Sequence, residues 1–358
     1  MGNLAQIEKI MINSTTVASV LVLFAVTGVA TAHHSRAALY DLDSMIEAEG
    51  RITRILWRNP HIRLWLEAEV GGESVLYEIE STPPGTLARH GITADILSVG
   101  QTIRVAGTPG RFDAYAMEAK NFLLPDGREV LIQRDSERRW SDRTVGWADE
   151  SLSDARVERA MAEAAGIFRV WSRDEDSSFT VRQGSNLSLV GLSEYPLTPA
   201  ASLARQDFDP VADNPIPGCT PKGMPHIMGQ PYPVEFVDEG ERVLLRIEEY
   251  DLVRVIHMAN ESAPSEPTPL GLSIGRWDGD SLLVTTSSIL APQFSAAIAL
   301  SEFARVEERF DLSDDPVRLN YRVTVTDPAT FTEPVTREKY WTWIPGVEIQ
   351  PYDCTDAE

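Results

Sequence analysis

The chain has 358 residues, room for two domains. Lys and Arg total 32 against 54 Asp and Glu, and the formal charge of −22 repels nucleic acid and anionic lipid, excluding nucleic acid as a partner. Two cysteines in so long a chain exclude a cysteine-rich scaffold.

The first element is a run from Val17 to Ala30, apolar but short for a bilayer span. Ala30-Thr31-Ala32 follows, a small-x-small cleavage signature. Residues 1–32 are therefore expected to be a signal peptide and the mature protein to be periplasmic or secreted, with no stable membrane insertion after cleavage. A retained anchor is the alternative. A cut after Ala32 makes His33 the first residue, with His34 beside it; a cut after Ala30 leaves no free amine on His33.

Residues 33–133 are expected to form an OB-like β-domain. Glu49 to Trp57 is a first strand, stopped at Arg58-Asn59-Pro60. From His61 to Val70 the pattern alternates, with Ile62, Leu64 and Leu66 on one face and His61, Arg63, Trp65 and Glu67 on the other. Gly71-Gly72 predicts a two-residue hairpin turn, which sets Arg63 opposite Glu80 and puts His61 diagonal to Glu80. Thr86 to His90 suits a short helix ended by Gly91. Gln101–Ala106 and Ala116–Leu124 complete five strands, and Glu129–Gln133 adds a small one. Three strands, a helix and two strands is the order of an OB-type barrel.

This layout brings His33, His34, His61 and Glu80 within possible reach of one another. Imidazole nitrogens with an amine suit copper(II), and with a carboxylate suit zinc. The rival reading is a turn-capping His61 and a Glu80 paired only with Arg63.

Residues 134–165 read as a charged linker followed by a helix from Asp154 to Ala165, with Val157, Ala160, Met161 and Ala164 on one face. Residues 166–358 are expected to form a β-barrel domain, with 195–235 loop-like and rich in Pro and the chain from Val243 onward nearly all strand and turn. Seven segments between Val243 and Trp343, with a hairpin signal at Asp278-Gly279, predict an up-and-down barrel or a curved sheet. Cys219 and Cys354 are expected to pair in an exported chain. Met224, His226 and Met228 at alternate positions either offer soft ligands to copper(I) or pack over a core.

In a closed barrel, alternate strand residues point inward. Glu248, Arg254, His257, Arg276, Tyr321 and Trp341 are the candidates for a polar, aromatic-lined ligand pocket. No phosphate-binding or dinucleotide fingerprint occurs. Gly271-Leu272-Ser273-Ile274-Gly275 has the letters of a nucleophile elbow but a hairpin turn, not a helix, follows it.

Ala32-His33-His34-Ser35, Trp57-Arg58-Asn59-Pro60-His61 and Glu80 with Leu87-Ala88-Arg89-His90-Gly91 resemble an uncharacterised exported bacterial family whose chains begin A-H-H-S and carry W-x-N-P-H. The second half resembles a lipocalin-like domain in Cys219, Met224-Pro225, Gly275-Arg276-Trp277-Asp278-Gly279-Asp280 and Thr326-Asp327-Pro328. The resemblance implies export and two all-β domains, and no mechanism; His226 stands where it implies an arginine. The expectation is an exported binding protein with copper or zinc in the first domain and a small, partly apolar ligand in the second. An enzyme using His257 or Glu248 in the second barrel and an envelope scaffold holding a partner protein are the alternatives.

Overall fold

The computed structural model describes residues 39–147, 154–172, 180–183, 186–189, 195–209, 213, 219–259, 266–314 and 317–354. The expected signal peptide, with His33 and His34, lies outside the described residues. No described helix is long and apolar enough to cross a membrane.

The first barrel is built from β1 (Ile46–Leu56), β2 (Arg63–Val70), β3 (Glu73–Glu80), α1 (Pro84–Arg89), β4 (Thr102–Pro109) and β5 (Ala116–Leu123). Strand order is β3-β2-β1-β4-β5, and a parallel β3–β5 pairing closes the ring. This is the OB topology expected. Gly71 and Gly72 turn the β2–β3 hairpin with φ of 62° and 87°, which fits a two-residue loop. The register follows: Arg63 faces Glu80 and Leu66 faces Tyr77. Leu64, Leu66, Ile79, Val105 and Met117 are buried inside the ring.

Residues 134–147 depart from the linker reading. β6 (Glu129–Leu131) pairs in parallel with β7 (Thr144–Gly146), which ties the segment to the barrel. Glu129, fully buried, accepts the backbone N–H of Arg139, Trp140 and Ser141 and the side-chain amide of Asn121. One buried carboxylate therefore supplies the order that an apolar stripe would otherwise supply. The helix α2 (Asp154–Glu163) forms as expected, but Met161 on its predicted apolar face is 61% exposed.

The second sheet comprises β8 (Val170–Trp171), β9 (Thr180–Gln183), β10 (Asn186–Leu189), β11 (Val234–Asp238), β12 (Arg242–Ile247), β13 (Leu252–His257), β14 (Leu272–Asp278), β15 (Ser281–Ser287), β18 (Arg305–Leu312), β19 (Arg318–Thr326) and β20 (Val335–Thr342). Helix α3 (Pro199–Gln206) and a small hairpin, β16 (Gln293–Ser295) and β17 (Ile298–Ala299), lie between these strands in the chain. From β11 to β20 the sheet strands neighbour one another in chain order. The β13–β14 pair is parallel, the one departure from a purely antiparallel order among these described neighbours. β8 pairs with β11, and the next residue, Ser172, bridges Thr342 at the end of β20, so nine strands nearly close. Trp171, Phe236, Phe310, Tyr321 and Trp341 fill the interior.

Candidate functional site

His61 stands on the loop between β1 and β2. Its Nδ1 lies 3.1 Å from the carbonyl oxygen of Ser81 and 3.6 Å from Oε1 of Glu80. A carbonyl only accepts, so Nδ1 carries the proton in this contact. Tyr40 donates its hydroxyl to the other oxygen of Glu80 at 3.1 Å. Burial first, and Glu80 beside it, hold the Tyr40 phenol far above its ordinary pKa, so it stays a donor. Both carboxylate oxygens of Glu80 are thus engaged. Glu80 sits beside His61, where a carboxylate can orient a histidine ring. Tyr40 is itself fixed by a bridge to Gly110, and Arg111 N–H donates to the carbonyl of Leu39. The chain therefore reaches the first barrel beside the His61–Glu80 pair. Among the described residues, no group of three or more His, Cys, Asp or Glu is placed to hold a metal.

The same loop meets the second barrel. After β20 the chain runs back as an extended strap. Gln350 N–H donates to Glu248 Oε2 at 2.9 Å, and Tyr352 N–H donates to Asp251. The strap ends by accepting Asn59 N–H on the Asp353 carbonyl at 2.7 Å, with Cys354 bridged to Asn59. Cys354 is disulfide-bonded to Cys219, as the pairing expectation required. Glu248 also receives both terminal nitrogens of Arg89, at 2.7 and 3.1 Å. Gly85 makes this approach possible: a Cβ there would stand 2.9 Å from Glu248 Oε1. Glu249, next in the chain, is buried against Lys222, which also donates to Gln230. Burial pushes the Glu249 pKa up and Lys222 opposes it. The rings of Tyr232 and Tyr250 pack on Tyr352 at 5.2 and 4.9 Å.

The six pocket candidates do not come together. Arg254, Tyr321 and Trp341 point into the second barrel and are buried. Glu248 lies at the seam between the barrels. His257 is half-buried and Arg276 exposed, on strand positions that alternate away from buried Arg254, Ile256 and Ser273. Inside, Arg254 donates to Ser273 at 2.9 Å, to Thr286 at 2.7 Å and through two nitrogens to Glu308. Tyr321 donates to Glu308 at 2.8 Å. Trp341 packs on Tyr321 with the rings tilted at 46°, and Lys339 Nζ lies 3.9 Å from its ring centre. Ser273 is thus a buried partner of Arg254 within a strand, which removes it as a nucleophile. Met224 and Met228 are core residues.

Residues 20–116 match a family of unknown function, DUF6152. No curated protein matches the chain. The match takes in Tyr40, His61 and Glu80 and ends at the start of β5, short of the second barrel.

Sequence reasoning missed Tyr40, Arg89, Asn59 and the strap. Tyr40 precedes the first predicted strand and has no pattern of its own. Arg89 and Asn59 stand in the two motifs that carry the family resemblance, but nothing local to either motif points to a partner in the second barrel. Glu308 had a usable signal: it shares parity with Val306 and Phe310, and a carboxylate on an apolar face needs a buried cation.

Proposed function

We propose that the mature protein is an exported metal-binding protein. The amine and ring of His33, the ring of His34 and Nε2 of His61 hold copper(II) or zinc, and Glu80 orients His61. The observation that carries this reading is the His61–Glu80–Tyr40 arrangement. Nδ1 of His61 faces the Ser81 carbonyl and the Glu80 carboxylate, the side-on support by which a carboxylate orients a ligating histidine. Tyr40 touches Glu80, and the six residues from His34 to Tyr40 span at most about 20 Å. The N-terminal histidines are therefore tethered within reach of His61. The charge of −22 favours a cation.

The second barrel serves in this reading as the scaffold that carries the strap and the seam. Its inward Arg254, Glu308 and Tyr321 are spent on one another, which supports a structural interior over a ligand pocket or an active site. The test is a copper(II) titration of protein purified from the periplasm, with its first residue fixed by intact mass. His61→Ala is expected to raise the dissociation constant about a hundredfold and Glu80→Gln about tenfold. A mature chain that begins upstream of His33, or a His61→Ala protein that binds copper as tightly as wild type, overturns the reading.

A further inference from the structure

The strap joins a partly exposed disulfide to the loop that presents His61. Cys219 and Cys354 are both half-buried, so a solvent-borne thiol reaches them. Asp353 and Pro351 beside them are exposed. Upstream, the strap is held independently of the disulfide, by Glu248 on Gln350 and by Asp251 and two tyrosine rings on Tyr352. Beyond Tyr352, the Cys219–Cys354 bond and the Asn59 contact hold the strap's last residues.

Asn59 is 3% exposed, and its N–H is satisfied by the Asp353 carbonyl. A buried N–H that loses its acceptor is costly, so the loop shifts to find another or to reach water. Asn59 is two residues from His61. The contact is therefore positioned to pass a change at the disulfide to the ring that the metal needs.

We propose that the disulfide-tied end of the strap sets the position of the His61 loop, so that the thiol–disulfide state of Cys219 and Cys354 regulates metal binding in the first barrel. This rests on the metal-binding reading above. The reductant is an external dithiol. Its thiolate attacks one sulfur, the Cys219–Cys354 bond breaks and a mixed disulfide forms. The second thiol of the reagent then closes on the mixed disulfide. The protein leaves with two thiols, having gained two electrons and two protons, and the dithiol leaves as its own disulfide. Untied, the residues beyond Tyr352 lose their covalent anchor, and Asn59 loses its acceptor.

The experiment uses the full mature protein in three forms: oxidised, natively reduced and alkylated, and C219S/C354S, which has no thiol to compete for copper. Amide hydrogen exchange is read first, without metal. In both disulfide-free forms the Asn59 amide is expected to exchange about tenfold faster or more, while Leu64 and Leu66 in β2 keep their protection. Copper(II) titration is then expected to give a dissociation constant about tenfold higher than for the oxidised protein. Unchanged exchange at Asn59 overturns the strap's role. Faster exchange with unchanged copper affinity overturns the regulation. If the oxidised protein binds no copper, the metal reading itself is wrong and this inference falls with it, an outcome separate from a failure of the strap because exchange is measured without metal. Should C219S/C354S not fold, the reduced and alkylated protein gives both readouts.

Discussion

Glu129 holds residues 134–147 with a charge that no solvent reaches. Burial alone would raise its pKa, but the N–H groups of Trp140, Ser141 and Arg139 and the amide of Asn121 outweigh burial and hold it below the ordinary carboxylate value. A folded-state pKa below the unfolded one contributes stability that is fully present above the unfolded pKa, about 4.3. That contribution is lost as pH falls through the folded value. Glu129→Gln keeps the shape but turns amide hydrogens toward N–H donors and removes the charge. It is expected to cost about 3 kcal/mol at pH 7. The gap to wild type should narrow as pH falls below about 4, since protonation then removes the same charge from wild type. Urea midpoints of both proteins from pH 7 to pH 3 measure this. Parallel profiles would remove Glu129 as the source of order.

At the scale of elements, the two barrels differ in how far their sequences could be read. In β2, apolar residues alternate with polar ones, so Leu64 and Leu66 announce the inner face and Gly71-Gly72 sets the register that pairs Arg63 with Glu80. In β18 the alternation carries charge on both faces: Arg305, Glu307 and Arg309 lie outside, and Val306, Glu308 and Phe310 lie inside. Parity with Val306 and Phe310 marks Glu308 as the inward one of the two glutamates, but its partner, Arg254 on another strand 54 residues away, leaves no local signal. The pocket candidates on β13 and β14 were uncertain for the same reason. Truncating one member of the Arg254–Glu308 pair leaves the other as a buried charge. Glu308→Ala is expected to cost about 3–5 kcal/mol, while Arg254→Met with Glu308→Leu recovers most of that loss. Urea unfolding followed by tryptophan fluorescence, to which buried Trp171 and Trp341 contribute, reads the difference. A double variant no more stable than Glu308→Ala would mean that the pair contributes more than mutual neutralisation.

Across the whole molecule, few contacts resist a large repulsion. The chain carries −22, and at low ionic strength acidic surfaces repel over about 30 Å, against about 3 Å at 1 M salt. Arg89 with Glu248, Gly85 packed on Glu248 and Gln350, and Asn59 with Asp353 work against that field. Arg89 is the cation among them, and Glu248 is 2% exposed on its side chain. Arg89→Ala strands a buried carboxylate that keeps only the Gln350 N–H, a loss of about 3 kcal/mol at the seam. Arg89→Lys keeps the charge and loses the two-pronged geometry, so it should fall between. Neither change touches the core of either barrel. The expected effect is therefore separation of the barrels without unfolding, greatest for Arg89→Ala in low salt and suppressed in 1 M salt. Small-angle scattering reads it as a radius of gyration that grows as salt is removed from Arg89→Ala and stays constant for wild type. Equal radii at every salt concentration would show that packing around Gly85 and the strap carries the seam without the ion pair.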